Sequence, residues 1–454
     1  MLKSIHILRQ IRWRQIVLAL VGLAIAGFSL HVPDKWTGFQ SGSVNQLLLL
    51  ASGILLIVLG LTGSQFPIKE LQKAYQTGAV ILLNTILLLL IVELVVTLSI
   101  NLKYQFVYNG QVIAEGWDVR PDFPYFQQVS WGKTYWKEHY QRHTDYRPYV
   151  MWRQVAQTGE TINIDERGVR LTPGADCQPD AYTVWMFGGS TLWSEGAPDW
   201  MTIPAYVQVQ LDEQLDRPVC VVNYGEIAYV STQEVLTLTL LLQQGKQAPD
   251  LVIFYDGFND VFASHQSGVA GTHQNLATIQ RQLVQNSVGT AILNEIISSN
   301  TFQLLSGVVS GGGRADQYGK SDDLETLAND TVKVYLDNEA LVAHLADAYG
   351  FDYAFFWQPT LFLTNKTLTS IESGILATQN QKWLDLNERV YNQIKTAAGT
   401  TGNEHLYYIA DLFDDVDGFL WFDYVHIVPE GNALVAQKMV DTLRAAQSSD
   451  FPIR

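Results

Sequence analysis

The sequence is short of the residue patterns that hold metal ions, and it contains no internal repeat. Its 454 residues include two cysteines and nine histidines, and none of these falls into the clustered His/Cys spacing of a zinc site. We therefore expect neither a metal ion nor another cofactor. Long low-complexity tracts are also missing. A chain of this length has room for two or more folded units.

Basic residues are scarce after residue 103. Residues 1–103 contain eight Lys and Arg against three Asp and Glu, whereas residues 104–454 contain 21 basic and 42 acidic residues. A unit with this excess of negative charge repels phosphate backbones, so nucleic acid is not an expected partner. Solubility explains the acidity most simply, and the alternative is selection among charged substrates.

The two cysteines leave the redox compartment open. Cys177 precedes one strand-like run, and Cys220 lies near the start of another at 219–223. If those two strands are neighbours, a disulfide is geometrically feasible in an oxidising compartment. Otherwise both residues are buried free thiols.

Three apolar stretches predict a membrane anchor over residues 1–103. They lie at about 16–32, 44–62 and 79–98, and each approaches or reaches the roughly 20 residues that cross a bilayer as a helix. A cleaved signal peptide would explain the first stretch alone and leave the other two unexplained. Glu93 interrupts the third stretch. We expect it to be neutral and hydrogen-bonded to a neighbouring helix, or else to have a functional role.

Positive charge in the loops predicts the orientation of this anchor. Basic residues are concentrated in the N-terminal tail and the second loop: Lys3, Arg9, Arg12, Arg14, Lys69 and Lys73. The first loop offers Lys35, and the segment after the third stretch offers Lys103. Because positively charged loops stay in the cytoplasm, the N-terminus is predicted to be cytoplasmic. Three crossings then place everything after residue 103 outside, in the periplasm or at the cell surface.

The rest of the chain divides into a lead-in segment and an α/β domain. Residues 104–180, the lead-in segment, are crowded with aromatic residues, which either pack against the main domain or stack on sugar rings. Within the lead-in segment, residues 161–169 are predicted to form a small hairpin. Over residues 181–454, short apolar runs alternate with helical stretches. This alternation predicts a parallel sheet covered on both faces.

The predicted sheet has five strands, at 183–187, 219–223, 251–255, 353–357 and 406–409. The predicted helices lie at 204–215, 232–243, 323–349, 379–398 and 429–446. The third and fourth strands are separated by far more chain than a crossover helix needs. We interpret residues 264–322 as an insertion, either a lid over the site or a surface loop. Its aperiodic part, 306–320, is expected to be mobile.

Four short strings supply side chains suited to acyl transfer. They are Gly188-Gly189-Ser190-Thr191, Asn223-Tyr224-Gly225, Gly257-Phe258-Asn259-Asp260 and Asp423-Tyr424-Val425-His426. Each alone is also typical of a helix cap or a turn. Together they follow predicted strands or precede a predicted helix, where open parallel sheets bind ligands. The set therefore favours one active site.

Each string has a candidate role. Ser190 is the candidate nucleophile, and His426 is the candidate general base, with Asp423 three residues upstream to orient it. The N–H groups of Ser190 and Gly225 and the side-chain amide of Asn259 are candidate donors to an oxyanion.

These strings resemble the four sequence blocks of the SGNH hydrolase superfamily, also called GDSL-like esterases and lipases. The resemblance covers about 183–446, with 264–322 unmatched. It implies a flavodoxin-like three-layer sandwich and the same roles for the five residues just named. One position departs: Gly189 stands where the namesake Gly-Asp-Ser-Leu motif has its acidic residue. That replacement is familiar in membrane-attached branches of the superfamily.

The leading hypothesis is a membrane-tethered, extracytoplasmic serine esterase that works through an acyl-enzyme. Its substrate would be an acylated small molecule or an envelope or extracellular polysaccharide. A second hypothesis is an O-acyltransferase that passes the acyl group to a glycan hydroxyl and works with a membrane acyltransferase partner. A third is a non-catalytic envelope or glycan-binding protein on the same fold.

Overall fold

The structure is a computed structural model whose chain forms two compact units. The first comprises Met1–Val107 and Ala277–Ala315, and the second comprises Tyr108–Leu276 and Asp316–Arg454. The structure describes residues 13–31, 44–62, 69–107, 118–245, 247–276, 279–280, 301–302, 321, 323–398, 400 and 403–446. The aperiodic stretch 306–320 lies outside the described residues.

Apolar helices dominate the described part of the first unit. They are α1 (Trp13–His31), α2 (Val44–Thr62) and α3 (Lys69–Val107). Among the described residues, one segment, Gln76–Ser99 of α3, is long and apolar enough to cross a membrane. The apolar segments Gln15–Gly27 and Leu50–Thr62 are shorter than the roughly 20 residues that a bilayer requires. The three expected membrane helices are thus reduced to one candidate, and a signal sequence or a buried core helix passes the same test.

Small residues allow α1 and α2 to pack closely. A Cβ added at Gly22 would lie 2.7 Å from the carbonyl oxygen of Gly53. A Cβ added at Gly53 would lie 2.7 Å from the backbone nitrogen of Ala26. Such close backbone approach is typical of small-residue helix pairs.

Glu93 of α3 has a partner from the predicted insertion. Its Oε2 accepts a hydrogen bond from the backbone N–H of Thr301 at 3.0 Å. The donor lies within residues 264–322, and the bond gives the Glu93 carboxyl group a hydrogen-bond partner.

A five-stranded parallel sheet forms the centre of the second unit, as the sequence predicts. The strands of the chain are β1 (Thr144–Arg147), β2 (Met151–Gln154), β3 (Tyr182–Gly188), β4 (Val219–Asn223), β5 (Leu251–Asp256), β6 (Asp352–Trp357) and β7 (Leu406–Tyr408). The order in the sheet is β4-β3-β5-β6-β7, the flavodoxin-type order with a switch point beside β3. The pair β1–β2 is antiparallel and separate from the sheet.

Helices of the second unit connect these strands. They are α4 (Pro124–Gln128), α5 (Gly132–Tyr140), α6 (Ser190–Trp193), α7 (Ile203–Asp212), α8 (Ser231–Gln243), α9 (Phe258–Ser267), α10 (Leu324–Tyr349), α11 (Ser370–Ala377), α12 (Gln381–Ala398) and α13 (Pro429–Ala446). Residues 264–267, at the start of the predicted insertion, continue α9.

The sheet is covered on both faces, which makes the second unit an α/β sandwich. Because side chains alternate along a strand, Val184 and Met186 of β3 join one hydrophobic core while Trp185 and Phe187 join the other. Residues of α7 and α13 complete the first core. Residues of α8, α10 and α12 complete the second.

Aromatic residues of the lead-in segment belong to the first of these cores. Phe126, Tyr135 and Trp136 are all at most 2% exposed, and the ring of Phe126 meets that of Phe422 edge-to-face at 5.1 Å. For these residues packing, not sugar stacking, is the observed role. The hairpin expected at 161–169 is present as a tight turn, in which Asp165 N–H donates to the Val169 carbonyl at 2.9 Å.

The two cysteines form a disulfide. Cys177 and Cys220 are bonded, with their Cα atoms 4.7 Å apart. The pairing follows from the sheet order, because β3 and β4 are hydrogen-bonded neighbours. It ties the end of the lead-in segment to an edge strand.

Candidate active site

Ser190, His426 and Asp423 are linked by two short hydrogen bonds. His426 Nε2 lies 2.7 Å from Ser190 Oγ, and His426 Nδ1 lies 2.7 Å from Asp423 Oδ2. These distances are those of a nucleophile, base and orienter in contact. The structure therefore joins three residues that the sequence places up to 236 positions apart.

The local backbone explains how each residue reaches this position. Ser190 is the first residue of α6 and is separated from the end of β3 by Gly189 alone. Asp423 Oδ1 accepts the backbone N–H groups of Val425 and His426 at 2.9 and 2.7 Å. This turn fixes the three-residue spacing, so Asp423 Oδ2 is left to meet the imidazole.

The charges around His426 suit a general base. Burial lowers the pKa of His426, but the Asp423 and Glu195 carboxylates outweigh it, so the net pKa is raised above the usual 6.5. Burial raises the pKa of Asp423, yet the charge and hydrogen bond of His426 and the charge of Arg120 bring it below its usual value. Because an ionised Asp423 only accepts hydrogen bonds, Nδ1 carries the imidazole proton and Nε2 can accept one from Ser190.

Asn259 is held with one amide hydrogen committed. Its Nδ2 donates to the Tyr229 carbonyl at 2.7 Å, and its Oδ1 accepts from Gln274 Nε2 at 3.0 Å. Both bonds fix the amide plane and leave the second N–H of Nδ2 for another acceptor. Gln274 comes from the predicted insertion, which therefore contributes a side chain that orients a candidate oxyanion donor.

Gly189 lies directly against this amide. A Cβ added at Gly189 would be 2.3 Å from Asn259 Nδ2, far inside van der Waals contact. Glycine at this position, in place of the acidic residue of the namesake motif, therefore matches the space that Asn259 occupies here.

Gly225 does not present its N–H to the site in the expected way. The Gly225 N–H donates to Asn223 Oδ1 at 3.0 Å. Asparagine commonly bonds the backbone two residues ahead in this manner. An oxyanion at Gly225 would have to replace this internal acceptor, whereas the N–H of Ser190, at the start of a helix, has no acceptor within that helix.

A second carboxylate, absent from the sequence prediction, faces the same histidine. Glu195 Oε2 lies 3.7 Å from His426 Nε2, and Glu195 Oε1 lies 2.8 Å from Arg120 Nη1. Arg120 Nη1 also reaches Asp423 Oδ2 at 3.2 Å. Burial opposes ionisation of Glu195, but Arg120 and the nearby histidines outweigh it and hold its pKa far below the usual value.

Two further arginines of the lead-in segment, half-buried Arg142 and buried Arg170, contact the segment around Glu195. Arg142 stacks on the Trp193 ring at 4.6 Å and approaches the His139 ring nitrogens at 3.1 and 3.2 Å. Arg170, only 1% exposed, pairs with Asp199 at 2.9 Å. It also donates to the carbonyls of Trp193 and Ala197, both at 2.6 Å, and so fixes the loop that carries Glu195.

Sequence reasoning missed these charged residues for a specific reason. Arg120, His139, Arg142 and Arg170 lie in the lead-in segment, whose aromatic content drew the interpretation toward packing. Glu195 follows Ser190 by five residues and is the only one of these charged residues that lies close to one of the four strings. Among the described residues, no group of His, Cys, Asp and Glu is placed to hold a metal ion.

No family model and no curated protein matches the chain. Solved structures that it matches are GDSL-type lipolytic esterases and acetylxylan esterases. A lipolytic G-D-S-L family protein from Veillonella parvula DSM 2008 is 13% identical and covers 57% of this chain and 96% of its own, with a TM-score of 0.32. The psychrotrophic esterase EstA from Pseudoalteromonas sp. is 13% identical and covers 59% and 100%, with a TM-score of 0.29.

A third match is Axe2, an acetylxylan esterase from Geobacillus stearothermophilus, which is 14% identical and covers 60% of this chain and 96% of its own, with a TM-score of 0.29. One of the three carries the G-D-S-L family name, and the other two are named as esterases. Likenesses at these TM-scores carry no argument about this chain, so its assignment depends on its own motifs and geometry.

Proposed function

We propose that the chain is a serine esterase of the SGNH type that forms an acyl-enzyme on Ser190. One observation carries the proposal: His426 lies 2.7 Å from both Ser190 Oγ and Asp423 Oδ2. A serine that only caps a helix, or a histidine that only lies on the surface, does not require a chain of hydrogen bonds from serine through histidine to aspartate. The resemblance of the four strings to the superfamily supports the same conclusion.

The chemistry follows from this contact. Ser190 Oγ attacks the ester carbonyl carbon, and its proton passes to His426 Nε2. The bond to the alcohol oxygen breaks, and the alcohol leaves with that proton. Water then adds to the acyl carbon and gives a proton to His426 Nε2, after which Ser190 departs with the proton and the acid is released.

Two donors are placed to stabilise the negative oxygen in both steps. They are the N–H of Ser190 and the second N–H of Asn259 Nδ2, the latter oriented by Tyr229 and Gln274. Donors that are fixed before the reaction lower the barrier most, because they need no rearrangement as charge develops.

The proposed setting is outside the cytoplasm at a membrane. The apolar segment Gln76–Ser99 supports tethering, and the disulfide between Cys177 and Cys220 supports an oxidising compartment. The proposed substrates are acylated small molecules or acylated envelope polysaccharides. A membrane-impermeant thiol dye tests the topology: a Ser64→Cys variant in intact cells should stay unlabelled if the second loop is cytoplasmic.

A fluorophosphonate probe tests the nucleophile on the full-length protein in detergent. The wild type should be labelled and should hydrolyse p-nitrophenyl acetate, while Ser190→Ala and His426→Ala should do neither. Ser373→Ala, an exposed serine on α11, is the matched control and should behave as wild type. Labelling that survives in Ser190→Ala would refute the assignment, and a wild type without labelling or turnover would favour the binding-protein hypothesis.

A further inference from the structure

Arg120 is the point where the charges around the triad converge. Its Nη1 donates to Glu195 Oε1 at 2.8 Å and to Asp423 Oδ2 at 3.2 Å. These two carboxylates lie on different sides of His426, since Asp423 meets Nδ1 and Glu195 lies 3.7 Å from Nε2. One guanidinium nitrogen therefore links the groups that flank both nitrogens of the candidate base.

The rest of the Arg120 side chain is fixed by the lead-in segment. Its Nε and Nη2 donate to Asp118 at 2.9 and 2.8 Å. Tyr140 donates to the same Asp118 carboxylate at 2.8 Å, and the guanidinium lies over the Trp136 ring at 5.1 Å. A planar fork held on three sides has little freedom, so the position of Nη1 is set before any substrate arrives.

We propose that Arg120 is a positioning residue of the triad, with Glu195 as its second carboxylate, and that the lead-in segment is thereby part of the active site. This proposal rests on the proposed acyl chemistry. Arg120 contacts none of the reacting atoms: its described bonds all go to carboxylates of the protein. It acts through Asp423 and Glu195 on the orientation and protonation of His426.

The groups facing the imidazole predict opposite effects of the two partners. They are Asp423 on its own turn, Glu195 after α6, Arg120 before α4 and His139 on α5; Asp118 acts on Arg120, and Arg142 acts on His139. The negative charge of Glu195 raises the pKa of His426, and the positive charge of Arg120 lowers it. Removal of Arg120 should therefore raise that pKa, and removal of the Glu195 charge should lower it.

The first test measures His426 directly and needs no substrate. Full-length protein labelled with 13C at histidine Cε1 is titrated by NMR, with the His426 signal assigned by its loss in His426→Asn. We expect a higher titration midpoint in Arg120→Met, a lower one in Glu195→Gln, and an intermediate one in the double variant. Midpoints that do not move, or that move in the same direction, would overturn the proposal.

The second test measures catalysis on p-nitrophenyl acetate. Arg120→Met should lower kcat by roughly 10–100-fold, the scale expected when catalytic groups shift by about 1 Å, with KM nearly unchanged. The acidic limb of kcat/KM should move to higher pH in Arg120→Met and to lower pH in Glu195→Gln, because the base must be neutral. Arg120→Lys keeps the positive charge but loses the planar guanidinium group. It should retain part of the wild-type kcat, and the acidic limb of its kcat/KM should lie close to that of the wild type.

Controls separate this proposal from the proposed function. Arg167→Met removes an exposed arginine of the same segment that is paired with Asp165, and it should leave kcat and the His426 titration unchanged. An inactive wild type would refute the esterase proposal, while the NMR titration still decides the role of Arg120. If Arg120→Met fails to fold, Arg120→Lys and Glu195→Gln decide it. Arg120→Lys should lower kcat while the His426 midpoint stays near that of the wild type, and Glu195→Gln should lower the midpoint; a wild-type kcat in Arg120→Lys together with an unmoved midpoint in Glu195→Gln would reject the proposal.

Discussion

The sheet region, which is the α/β domain at residues 181–454, and the lead-in segment (residues 104–180) contribute to the same candidate site by different means. The sheet region presents Ser190, Asn259 and His426 on turns that follow strands or precede a helix. The lead-in segment contributes Arg120 and Arg170, which touch carboxylates and carbonyls around the triad. In the proposed chemistry, the sheet region supplies the reacting groups and the lead-in segment sets their electrostatic surroundings. Five variants and a pH profile test that division.

The largest effect is expected from the sheet region. Ser190→Ala should lower kcat roughly a millionfold, as loss of a triad serine does elsewhere, because no other described hydroxyl contacts His426 Nε2. The melting temperature should change little, since the Oγ is partnered by His426 alone among the described contacts. Activity is measured with p-nitrophenyl acetate and unfolding by circular dichroism. If Ser190→Ala unfolds, Ser190 has a structural role, and the proposed division between the sheet region and the lead-in segment is wrong.

For Arg170 in the lead-in segment we expect the opposite result, a loss of stability. Arg170→Met should destabilise the protein by about 3–5 kcal/mol. It removes the charge partner of the buried Asp199 carboxylate, whose Oδ1 loses its donor while Oδ2 keeps Asn163, and it removes the donor to two carbonyls. The free energy of unfolding in urea measures the change. Arg167→Met, at an exposed ion pair, is the matched control and should cost at most about 1 kcal/mol. Equal losses in the two variants would contradict the prediction.

Asn259 tests the oxyanion donors within the sheet region. Asn259→Ala should lower kcat by roughly 100–1000-fold, the usual loss for one such donor. Gly189→Ala should act in the same direction because its Cβ would displace the Asn259 amide. Gly374→Ala, on α11 where an added Cβ meets nothing within 4 Å, serves as the control. Full activity in Gly189→Ala would mean that Asn259 is not needed at its described position.

The disulfide tests how firmly the two regions are joined. Replacing Cys177 and Cys220 together by alanine should lower the free energy of unfolding by about 2–4 kcal/mol, since the bond closes a loop with a sequence separation of 43. Urea unfolding with and without reductant measures it. The wild type should lose stability under reductant and the double variant should not; identical curves for both would show that the bond contributes nothing.

The smallest effect is a pH dependence. Because the pKa of His426 is raised above 6.5 by Asp423 and Glu195 against the effect of burial, the acidic limb of kcat/KM should have its midpoint above pH 6.5. The base is protonated below that midpoint and neutral above it, so activity rises with pH. A midpoint at or below 6.5 would indicate that the two carboxylates do not act together on the imidazole.

Much of the sheet could be predicted because its signals are local. β4 has the predicted bounds, and α13 begins and ends where the sequence indicates. The helix α11 was not predicted. Its start is nevertheless marked in the sequence by Thr369 and Glu372, which form a capping box. The helix α9 was not predicted either, although glycines stand at both of its ends; it continues into the predicted insertion and stops at Gly268, which has a left-handed backbone (φ 75°).

Within the candidate site, the sequence predicted only residues that follow an apolar strand or precede a predicted helix. Ser190 and Asn259 follow short apolar strands, and Asp423 and His426 come shortly before α13, so local patterns point to all four. The Gly225 N–H differs from expectation since a side chain two residues away accepts it, a choice that depends on the rotamer of Asn223 and not on the motif.

The sequence alone determined which chemical groups this protein has and the strand ends where they lie, because alternation and helical periodicity depend on neighbours a few residues apart. Only the tertiary structure decided which charges surround those groups. Arg120 meets Glu195 across 75 residues and Asp423 across 303. No local pattern encodes such pairs, since the packing of the lead-in segment on the sheet is what brings them within hydrogen-bond distance.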